Sequence, residues 1–476
     1  ISQQPTGGTV LAGQNVTFSV GATGTGGVTY QWRLNGTNIA GATNATYSLG
    51  SATTNAAGSY DVLVAHAFGA VVSAPAAVTV TPSSNPLPFT FVQRIGGSGQ
   101  EHTEVTAVDM AGNAYISGYY SGTASFGGTN LTSTNGSEMF LAKYAPNGGL
   151  QWITRSFGTF AEGRAITVDP AGNVFLIGGF RNTLTLDTTN FVSAGSDDIF
   201  VARYDALGQL QWATTFGGPG ADGGHSIGAD STGNIYIVGD ISASVDFGST
   251  TLTSAGASDI FLAQLSPTNG AVRWARLMGG ANFDVSGRVG VDALGNSYVS
   301  GKFDGTAQFG GTLLTSAGGA DAFLAKFDAS GTFQWVRQIG GSGDDVGREV
   351  AVDGAGNVLV TGEFTDFAAI GATNLVAVGS RDAFTAKFSP AGVLLWARGG
   401  GSLGDDRAWG VSVDAVGNVF TMGNIAGDAT FSPLTVSNPG PGLGLFVTKQ
   451  DPNGKFLWAA LAGGNIGDVS GSVSAT

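Results

Sequence analysis

Hydrophobic and polar residues follow two patterns along this chain, and both predict short β-strands separated by tight turns. In the first eighty residues, runs rich in Val, Thr and Tyr, such as residues 16–20 and 59–64, alternate with clusters of Gly, Asn and Thr. After about residue 89 the runs are apolar at consecutive positions, as in residues 235–239 and 259–263, and lie between Gly-containing turns. Alternation suits a half-buried strand, whereas a continuous short apolar run suits a strand buried on both faces. We therefore expect an all-β protein with two kinds of sheet.

A repeated unit fills the second part of the chain. Trp recurs at intervals of 60 to 62 residues, and Phe91 occupies the same place one unit earlier. In the copy after the second of these Trp, residues 226–230, 235–239, 259–263 and 272–276 predict four strands, named A to D in chain order. The period fits four strands plus one longer loop. We expect six complete copies, preceded by a lone strand D at Phe91 and followed by a lone strand A at residues 471–475. The repeated residues are Trp152, Trp212, Trp274, Trp335, Trp396 and Trp458.

Each copy carries the same turn between strands A and B. It reads VDPAGNVFLIG at residues 168–178, and its Asp recurs at Asp109, Asp169, Asp230, Asp292, Asp353 and Asp414. This block resembles the bacterial seven-bladed β-propeller repeat family, over about four fifths of the chain. The resemblance implies four-stranded blades around a channel, with seven blades favoured. The lone strands D and A would share the seventh blade, whose strands B and C are missing. It implies little about function, because propellers host unrelated activities.

The first eighty residues resemble the immunoglobulin superfamily. The match lies in Trp32, followed by Asn35-Gly36, and in Tyr60 within the sequence AGSYDV. In that family such a Trp lies in the core and such a Tyr forms a corner two residues before the second half-cystine. Val20 and Val62 occupy the two half-cystine positions, so an apolar pair would replace the disulfide. We expect a sandwich at residues 1–80, a stiff Pro-rich linker at residues 81–88 and the propeller at residues 89–476.

Composition narrows the classes of function. The chain has 79 Gly without a fixed period and 42% hydrophobic residues, which argues against both collagen and disorder. Its net charge of -14 and its scattered 20 Lys and Arg give no footprint for nucleic acid. No apolar run is long enough for a transmembrane segment. The absence of Cys removes disulfides and thiolate sites and is compatible with bacterial secretion. Because Ile1 is not an initiator Met, we expect a processed or excerpted chain.

An acidic residue lies ten positions after each repeated Trp and after Phe91, in the loop that joins strand D to the next strand A. In a propeller these loops share one face near the channel, so the carboxylates would form a ring. Oxygen ligands of this kind suit calcium, the one cofactor that the sequence suggests. The alternative is that each acid accepts hydrogen bonds from the amides of its own turn. The seven acids are Glu101, Glu162, Asp222, Asp284, Asp345, Asp406 and Asp468.

Other candidate residues carry weaker signals. The Asp of each Asp-x-x-Gly-Asn turn fits hairpin chemistry, and the repeated Trp fit packing between blades better than stacking on sugars. Trp409 is alone in its strand A position and is the candidate for a ligand-binding aromatic at the channel mouth, with a core role as the alternative. His66, His102 and His225 fall in different copies or domains, which disfavours a catalytic triad or a zinc site.

These observations favour a non-catalytic extracellular or cell-surface protein of bacteria. Its propeller would bind protein, polysaccharide or copies of the same chain. One alternative is a lectin with one weak site per blade. Another is a secreted glycan-active enzyme that uses a pair of loop carboxylates. The similarity of the copies disfavours the enzyme, because catalysis normally requires one site that differs from its symmetry mates.

Overall fold

The computed structural model describes residues 1–11, 16–24, 27–49, 56–81, 94–438 and 442–466. Strands and tight turns form these ranges, and no α-helix occurs within them, which confirms the expected all-β class. In the same ranges no helix has the length and apolar character that a membrane span requires. The chain divides into two compact units, residues 1–89 and 90–476. Residues 82–88 of the expected linker, Phe91, Asp468 and residues 471–475 lie outside the described ranges.

Two sheets make up the first unit. One has the strand order β1-β8-β6-β3-β4 with β7 paired to β6, and the other pairs β2 with β5. Most neighbours are antiparallel, but β1 runs parallel to β8. The strands are β1 Gly8–Leu11, β2 Val16–Ser19, β3 Thr29–Leu34, β4 Thr37–Asn38, β5 Thr46–Leu49, β6 Gly58–His66, β7 Gly69–Val72 and β8 Ala76–Thr81.

The core of the first unit is aromatic and aliphatic. Trp32 and Val62 are fully buried and lie in one cluster with Val20. The rings of Phe18 and Tyr60 stack at a centroid distance of 4.6 Å. Two buried polar groups find backbone partners: Trp32 Nε1 donates to the carbonyl of Asn44 at 2.9 Å, and Tyr60 Oη donates to that of Ala56 at 2.8 Å. Apolar packing thus occupies the centre of this unit.

In the second unit, strands A to D of each copy pair in antiparallel order. In the third copy, for example, the order is β19-β20-β23-β24. The strands of the first three copies, with the strand that precedes them, are β9 Ile95–Gly97, β10 Glu101–Val108, β11 Ala114–Tyr120, β12 Thr123–Phe126, β13 Thr129–Thr132, β14 Glu138–Tyr144, β15 Leu150–Val168, β16 Val174–Leu186, β17 Thr189–Tyr204, β18 Leu210–Phe216, β19 Gly223–Ala229, β20 Ile235–Ile241, β21 Ser244–Phe247, β22 Thr250–Thr253, β23 Asp259–Leu265 and β24 Val272–Gly280. Those of the last three copies are β25 Val285–Val291, β26 Ser297–Phe303, β27 Thr306–Phe309, β28 Thr312–Thr315, β29 Asp321–Phe327, β30 Phe333–Gly340, β31 Val346–Val352, β32 Val358–Phe364, β33 Phe367–Ile370, β34 Thr373–Val376, β35 Asp382–Phe388, β36 Leu394–Gly400, β37 Arg407–Val413, β38 Val419–Ile425, β39 Ala429–Phe431, β40 Leu434–Val436, β41 Leu443–Gln450 and β42 Phe456–Ile466.

The loop between strands B and C folds into a hairpin that the sequence analysis treats as a loop. In the fourth copy this hairpin is β27–β28, and β27 pairs with strand D of the preceding copy, β24. The fifth copy repeats the arrangement through β33 and β30. These strands have only four residues each, too few for the hydrophobic pattern to identify them. In these two copies the hairpin therefore extends the sheet of the copy before it.

Strands B and C are buried on both faces, as their continuous apolar runs predict. Every residue of β20 and of β23 is buried. The apolar cluster around β20 also contains Phe175 and Ile177 from the second copy. The sheets of neighbouring copies therefore pack face to face.

Each Trp of strand D joins its copy to the next one. The indole Nε1 donates to a carbonyl in the C–D turn of the following copy, at 2.9–3.2 Å. A Gly of that turn lies against the ring: a Cβ added to Gly454 would come within 2.6 Å of Trp396. These contacts favour packing between copies over sugar stacking. The Trp that make this bond are Trp152, Trp212, Trp274, Trp335 and Trp396.

Candidate binding site on the first strands

The copies differ most at one end of strands A and B. They can be aligned on a buried Val or Ile of strand A, for example Ile227 or Val289. Two residues before that position stand Thr103, Arg164, His225, Gly287, Arg348 and Trp409. In strand B, the residue after a recurrent Gly is Tyr119, Gly179, Asp240, Lys302, Glu363 or Asn424. In strand B the residues on both sides of this position scarcely change, with Gly before it and Tyr, Phe or Ile after it, whereas in strand A the neighbouring residues vary as well.

Some of these residues touch one another across neighbouring copies. Their contacts form two groups, one around Arg288 and one around Trp409, and we call these residues and their strand A neighbours together the strand-A cluster. It contains Arg164, His225, Asp240, Arg288, Arg348, Glu349, Glu363, Trp409 and Asn424.

Arg288 connects four consecutive copies. Its Nη1 donates to the carbonyl of His225 and, at 3.3 Å, to that of Arg164. Its Nε lies 3.8 Å from Oε2 of Glu349. Burial raises the pKa of Glu349 to about 7, although Arg288 acts in the opposite direction. Strands A of these copies therefore meet at one guanidinium group.

Trp409 lies beside two guanidinium groups. The Arg348 guanidinium carbon is 4.4 Å from the indole centroid, and that of Arg407 is 5.9 Å away. Arg348 also binds the buried Glu363 in a bidentate fashion, with Nε 3.0 Å from Oε2 and Nη2 2.5 Å from Oε1. Trp409 Nε1 donates to Asn424 Oδ1. The indole is half-buried, so it is held in place while part of it faces solvent.

His225, Ser286 and Asp240 lie together without forming a catalytic relay. His225 Nδ1 is 3.0 Å from Ser286 Oγ and 3.3 Å from Asp240 Oδ2. A relay needs the carboxylate on one ring nitrogen and the hydroxyl on the other. Burial lowers the pKa of His225 to about 3, assisted by Arg164 and Arg288, and burial raises the pKa of Asp240 to about 7. The imidazole is consequently a neutral hydrogen-bonding group.

In the first copy the corresponding region is aromatic. The rings of His102 and Tyr119 stack at 5.5 Å, and Phe160 lies 6.4 Å from Tyr119. His102 Nδ1 is 2.8 Å from Glu104 Oε1. The variable end of the strands thus changes from aromatic to charged along the chain.

Four of the seven loop acids are held by backbone amides. Asp345 Oδ2 accepts from the amide of Gly341 at 2.8 Å, and Oδ1 accepts from that of Thr365 at 3.1 Å. The same two amide positions serve Asp222, Asp284 and Asp406, and all four side chains are buried. This is the geometry expected if the acids fix their own turns.

The described residues do not assemble a metal centre from these acids. Within them, no group of three or more His, Asp or Glu is placed to hold one metal ion. Glu162 pairs with Arg164, Glu101 is half-buried, and Asp468 lies outside the described ranges. Among the described residues, the ring of acids that the sequence analysis considers for calcium therefore provides no set of metal ligands.

The Asp of each A–B turn forms local hydrogen bonds. Asp353 Oδ1 accepts from the amides of Ala355 and Asn357, both at 2.8–2.9 Å, and Oδ2 accepts from Asn357 Nδ2. Asp109, Asp169, Asp230, Asp292 and Asp414 make the same bonds. These bonds close the hairpins, as the sequence analysis favours.

The sequence analysis names only Trp409 and His225 of the strand-A cluster, and it considers His225 only for a catalytic triad or a zinc site, which it disfavours. A search for shared motifs selects positions that stay constant, whereas Arg288 and Arg348 occupy positions that change. Comparison of the copies residue by residue would have marked those positions. Only the structure shows that they are in contact.

Comparison with known proteins supports the repeat assignment. The family model of the SBBP beta-propeller repeat matches residues 211–244 and 334–363. An uncharacterized WD repeat-containing protein of Acanthamoeba polyphaga mimivirus is 25% identical over 420 residues, which is 69% of this chain and 30% of that protein. The second unit carries propeller-type repeats. This chain spans less than a third of that relative's length.

Among solved structures the likenesses are distant. Rhamnogalacturonan lyase YesW is 11% identical, with a TM-score of 0.31 and coverage of 95% of this chain and 74% of that one. Extracellular domains 3–5 of Drosophila OTK are 12% identical, with a TM-score of 0.16 and coverage of 45% and 94%. At these TM-scores neither likeness bears on fold or function.

Proposed function

We propose that this protein is a non-catalytic binding protein whose propeller repeats form an interaction platform, with the strand-A cluster as its contact surface. The observation that carries the proposal is that otherwise similar copies diverge at this end. Positions that only maintain the buried framework need the same residue in every copy. Recognition of one partner needs a particular arrangement of different side chains. The divergent residues therefore serve contact rather than folding.

The chemistry of the cluster suits recognition. Arg and Trp are enriched among the residues that dominate binding energies at protein interfaces. The side chains of Arg164, Arg288 and Arg348 are 33%, 26% and 32% exposed, so each is held by the fold while part of it stays accessible. Such pre-organised groups lose little conformational entropy on binding.

The rest of the architecture fits a bacterial surface or secreted protein. In this proposal the first unit is an immunoglobulin-like spacer, supported by the buried Trp32 and by the Tyr60 hydroxyl bonded to Ala56. The repeats close into seven blades, the seventh shared between the two ends of the unit. The absence of Cys agrees with secretion.

The two alternatives have less support. A lectin with one site per blade would use equivalent exposed aromatics, but the repeated Trp face a Gly of the next copy, and an Arg lies over Trp274, Trp335 and Trp396. A glycan-active enzyme would use accessible loop carboxylates, whereas Asp284, Asp345 and Asp406 are fully buried.

The test measures binding and then changes Trp409 of the cluster together with Arg407, whose guanidinium group lies beside it. Wild-type protein is screened on a glycan array, and its self-association is followed by sedimentation velocity. For the best ligand, Arg407→Ala with Trp409→Ala should raise Kd at least about tenfold, which corresponds to about 1.4 kcal/mol. Arg273→Ala, an exposed Arg of strand D, is the control and should leave Kd unchanged. No binding in either assay, or equal affinity of the double variant, would contradict the proposal.

A further inference from the structure

In three copies two buried aspartates meet at one glycine, and in a fourth copy Asp222 lies close enough to Asp198 to act on it electrostatically. One is the first residue of strand C and the other is the acid of the D–A loop. A Cβ added to Gly340 would lie 3.0 Å from Asp321 Oδ1 and 2.6 Å from Asp345 Oδ2. Both carboxyl groups are fully buried. The four pairs are Asp198 with Asp222, Asp259 with Asp284, Asp321 with Asp345 and Asp382 with Asp406.

One carboxylate oxygen of such a pair has no donor. Asp321 Oδ2 accepts from the amide of Ala317 at 3.1 Å and from Gln338 Nε2 at 2.5 Å, but buried Oδ1 has no hydrogen-bond partner. Oδ1 of Asp198 and Oδ1 of Asp259 are also buried without a partner. A buried charged oxygen without a donor is costly, so three copies repeat the same unfavourable arrangement.

No cation compensates these pairs within the described part of the chain. Their hydrogen bonds come from backbone amides, Gln338, Ser254 or Ser402. None of these aspartates forms an ion pair with a described Lys, Arg or His. Arg337, on the adjacent strand D, donates to the carbonyls of Val336 and Gly392 instead. Other acidic groups close to the pairs are Asp197, Asp240, Asp344 and Asp405, of which Asp197 is paired with Arg181, and Asp405 with Arg381 and Arg407.

The first copy provides an internal contrast. Its equivalent positions hold Glu138 and Glu162. Arg155 Nη1 lies 3.4 Å from Glu138 Oε2, and Tyr120 Oη donates to the same oxygen at 2.8 Å. Arg164 Nε donates to Glu162 Oε1 at 2.6 Å. In this copy Arg side chains compensate the negative charges of the two acids. Among the described residues, the four aspartate pairs have no such cation, so another positive species is required.

We propose that each of the four aspartate pairs binds one proton at neutral pH and shares it between the strand C carboxyl and the loop carboxyl. In the three pairs with an oxygen that lacks a donor, the protonated carboxyl then donates to that oxygen, and in every pair one negative charge is removed. No bond other than O–H···O forms.

A proton fits the geometry better than a metal ion. Calcium needs six to eight oxygen ligands, whereas each site has two carboxylates and a glycine that leaves no room even for a methyl group. The electrostatics agree with this assignment. Burial raises the pKa of Asp345 to about 7, with Asp321 and Asp344 adding to the shift, and burial likewise raises the pKa of Asp284 to about 7.

Each shared proton links the start of strand C to the D–A loop, near the strand-A cluster. Because the folded-state pKa is raised, the folded protein holds protons that the unfolded chain has released. The resulting stabilisation is complete below the unfolded pKa and is lost as the pH rises through about 7. The pairs therefore make the loops at this end of the repeats sensitive to pH.

The test replaces the proton with a permanent donor. In the triple variant Asp198→Asn, Asp259→Asn and Asp321→Asn, each amide group can place an N–H where the orphan oxygen lies. Melting temperature is measured between about pH 5.5 and pH 8. The wild-type value should fall over this range, and the triple variant should fall less and melt higher than wild type at pH 8. The matched control is Glu138→Gln, which loses its Arg155 partner and should melt lower by a similar amount at both pH values.

Two other measurements keep the proposal falsifiable if the triple variant does not fold. Infrared spectra of wild-type protein should show the carbonyl band of buried protonated carboxyl groups near neutral pH, and its loss above pH 8. Absence of that band would overturn the proposal, as would a triple variant as sensitive to pH as wild type. Added calcium that stabilises wild type at pH 8, but not the triple variant, would also overturn it by identifying a metal site.

Discussion

Single glycines decide how closely the acids of the second unit can approach. Gly340 and Gly401 each lie against two carboxyl groups: a Cβ on Gly401 would be 2.7 Å from both Asp382 Oδ1 and Asp406 Oδ2. Any side chain at these positions must displace a buried carboxyl group that backbone amides also hold. The acid and the glycine are therefore one structural unit, separated by four residues in sequence.

Gly340→Ala should destabilise the second unit. Overpacking of this kind typically costs about 1–3 kcal/mol, and here the clash is with buried oxygens that already accept hydrogen bonds. The free energy of unfolding, measured with urea, should fall by that amount. Gly354→Ala is the matched control, because nothing lies within 4 Å of its added Cβ. Equal stability of the two variants would show that the carboxyl pair is looser than described.

At the scale of elements, neighbouring copies are joined in two ways. The B–C hairpin pairs with strand D of the preceding copy, as Met278 does with Phe309. The Trp of strand D bonds to the C–D turn of the following copy, as Trp396 does to Pro452 at 3.0 Å. Each copy is thus tied to both of its neighbours, which couples the stability of the repeats along the chain.

Trp396→Phe should weaken the tie between the last two copies. The change keeps an aromatic ring and removes the Nε1 donor, which leaves the Pro452 carbonyl without this hydrogen bond. The expected loss is about 0.5–1.5 kcal/mol in the free energy of unfolding. Leu395→Ala, at a neighbouring exposed position in the same strand, should change it by less than about 0.5 kcal/mol. A larger effect at Leu395 than at Trp396 would contradict the role assigned to the indole.

At the scale of the whole molecule, two sets of carboxyl groups set opposite pH limits. Burial acts to raise the pKa of Asp353, but hydrogen bonds from Asn357 and Lys387 outweigh it and hold that pKa below its ordinary value. The pKa values of Asp109, Asp230 and Asp414 are lowered in the same way by their turns. These turns lose their stabilisation as the pH falls through the folded pKa.

Thermal stability should therefore be greatest at mildly acidic pH. Above that range the aspartate pairs lose their protons, and below it the turn aspartates gain them. A melting-temperature series from about pH 3 to pH 9 should show a maximum between about pH 4 and pH 6. A continuous rise to pH 8 would contradict the assignment of raised pKa values to the pairs.

The local pattern of apolar and polar residues determined many strands and turns of this protein. The continuous apolar runs predict strands buried on both faces, and β20 and β23 are such strands, because burial depends on composition over a few residues. The Asp-x-x-Gly-Asn turn is equally local, since Asp353 accepts hydrogen bonds from Ala355 and Asn357 of its own hairpin, with Lys387 of strand C as an added partner. The period of the Trp likewise predicts repeated units that must pack on one another.

The tertiary structure alone decided which side chains meet. Asp321 begins strand C and Asp345 lies in the D–A loop, and nothing in their spacing shows that one glycine brings them together. Arg288 of the fourth copy donates to the carbonyl of Arg164 in the second copy. The Arg348 guanidinium group lies over the ring of Trp409 in the following copy. Sequence specifies strands and turns because their hydrogen bonds are local. Charge compensation depends on distances between residues far apart in the chain, and folding alone fixes those distances.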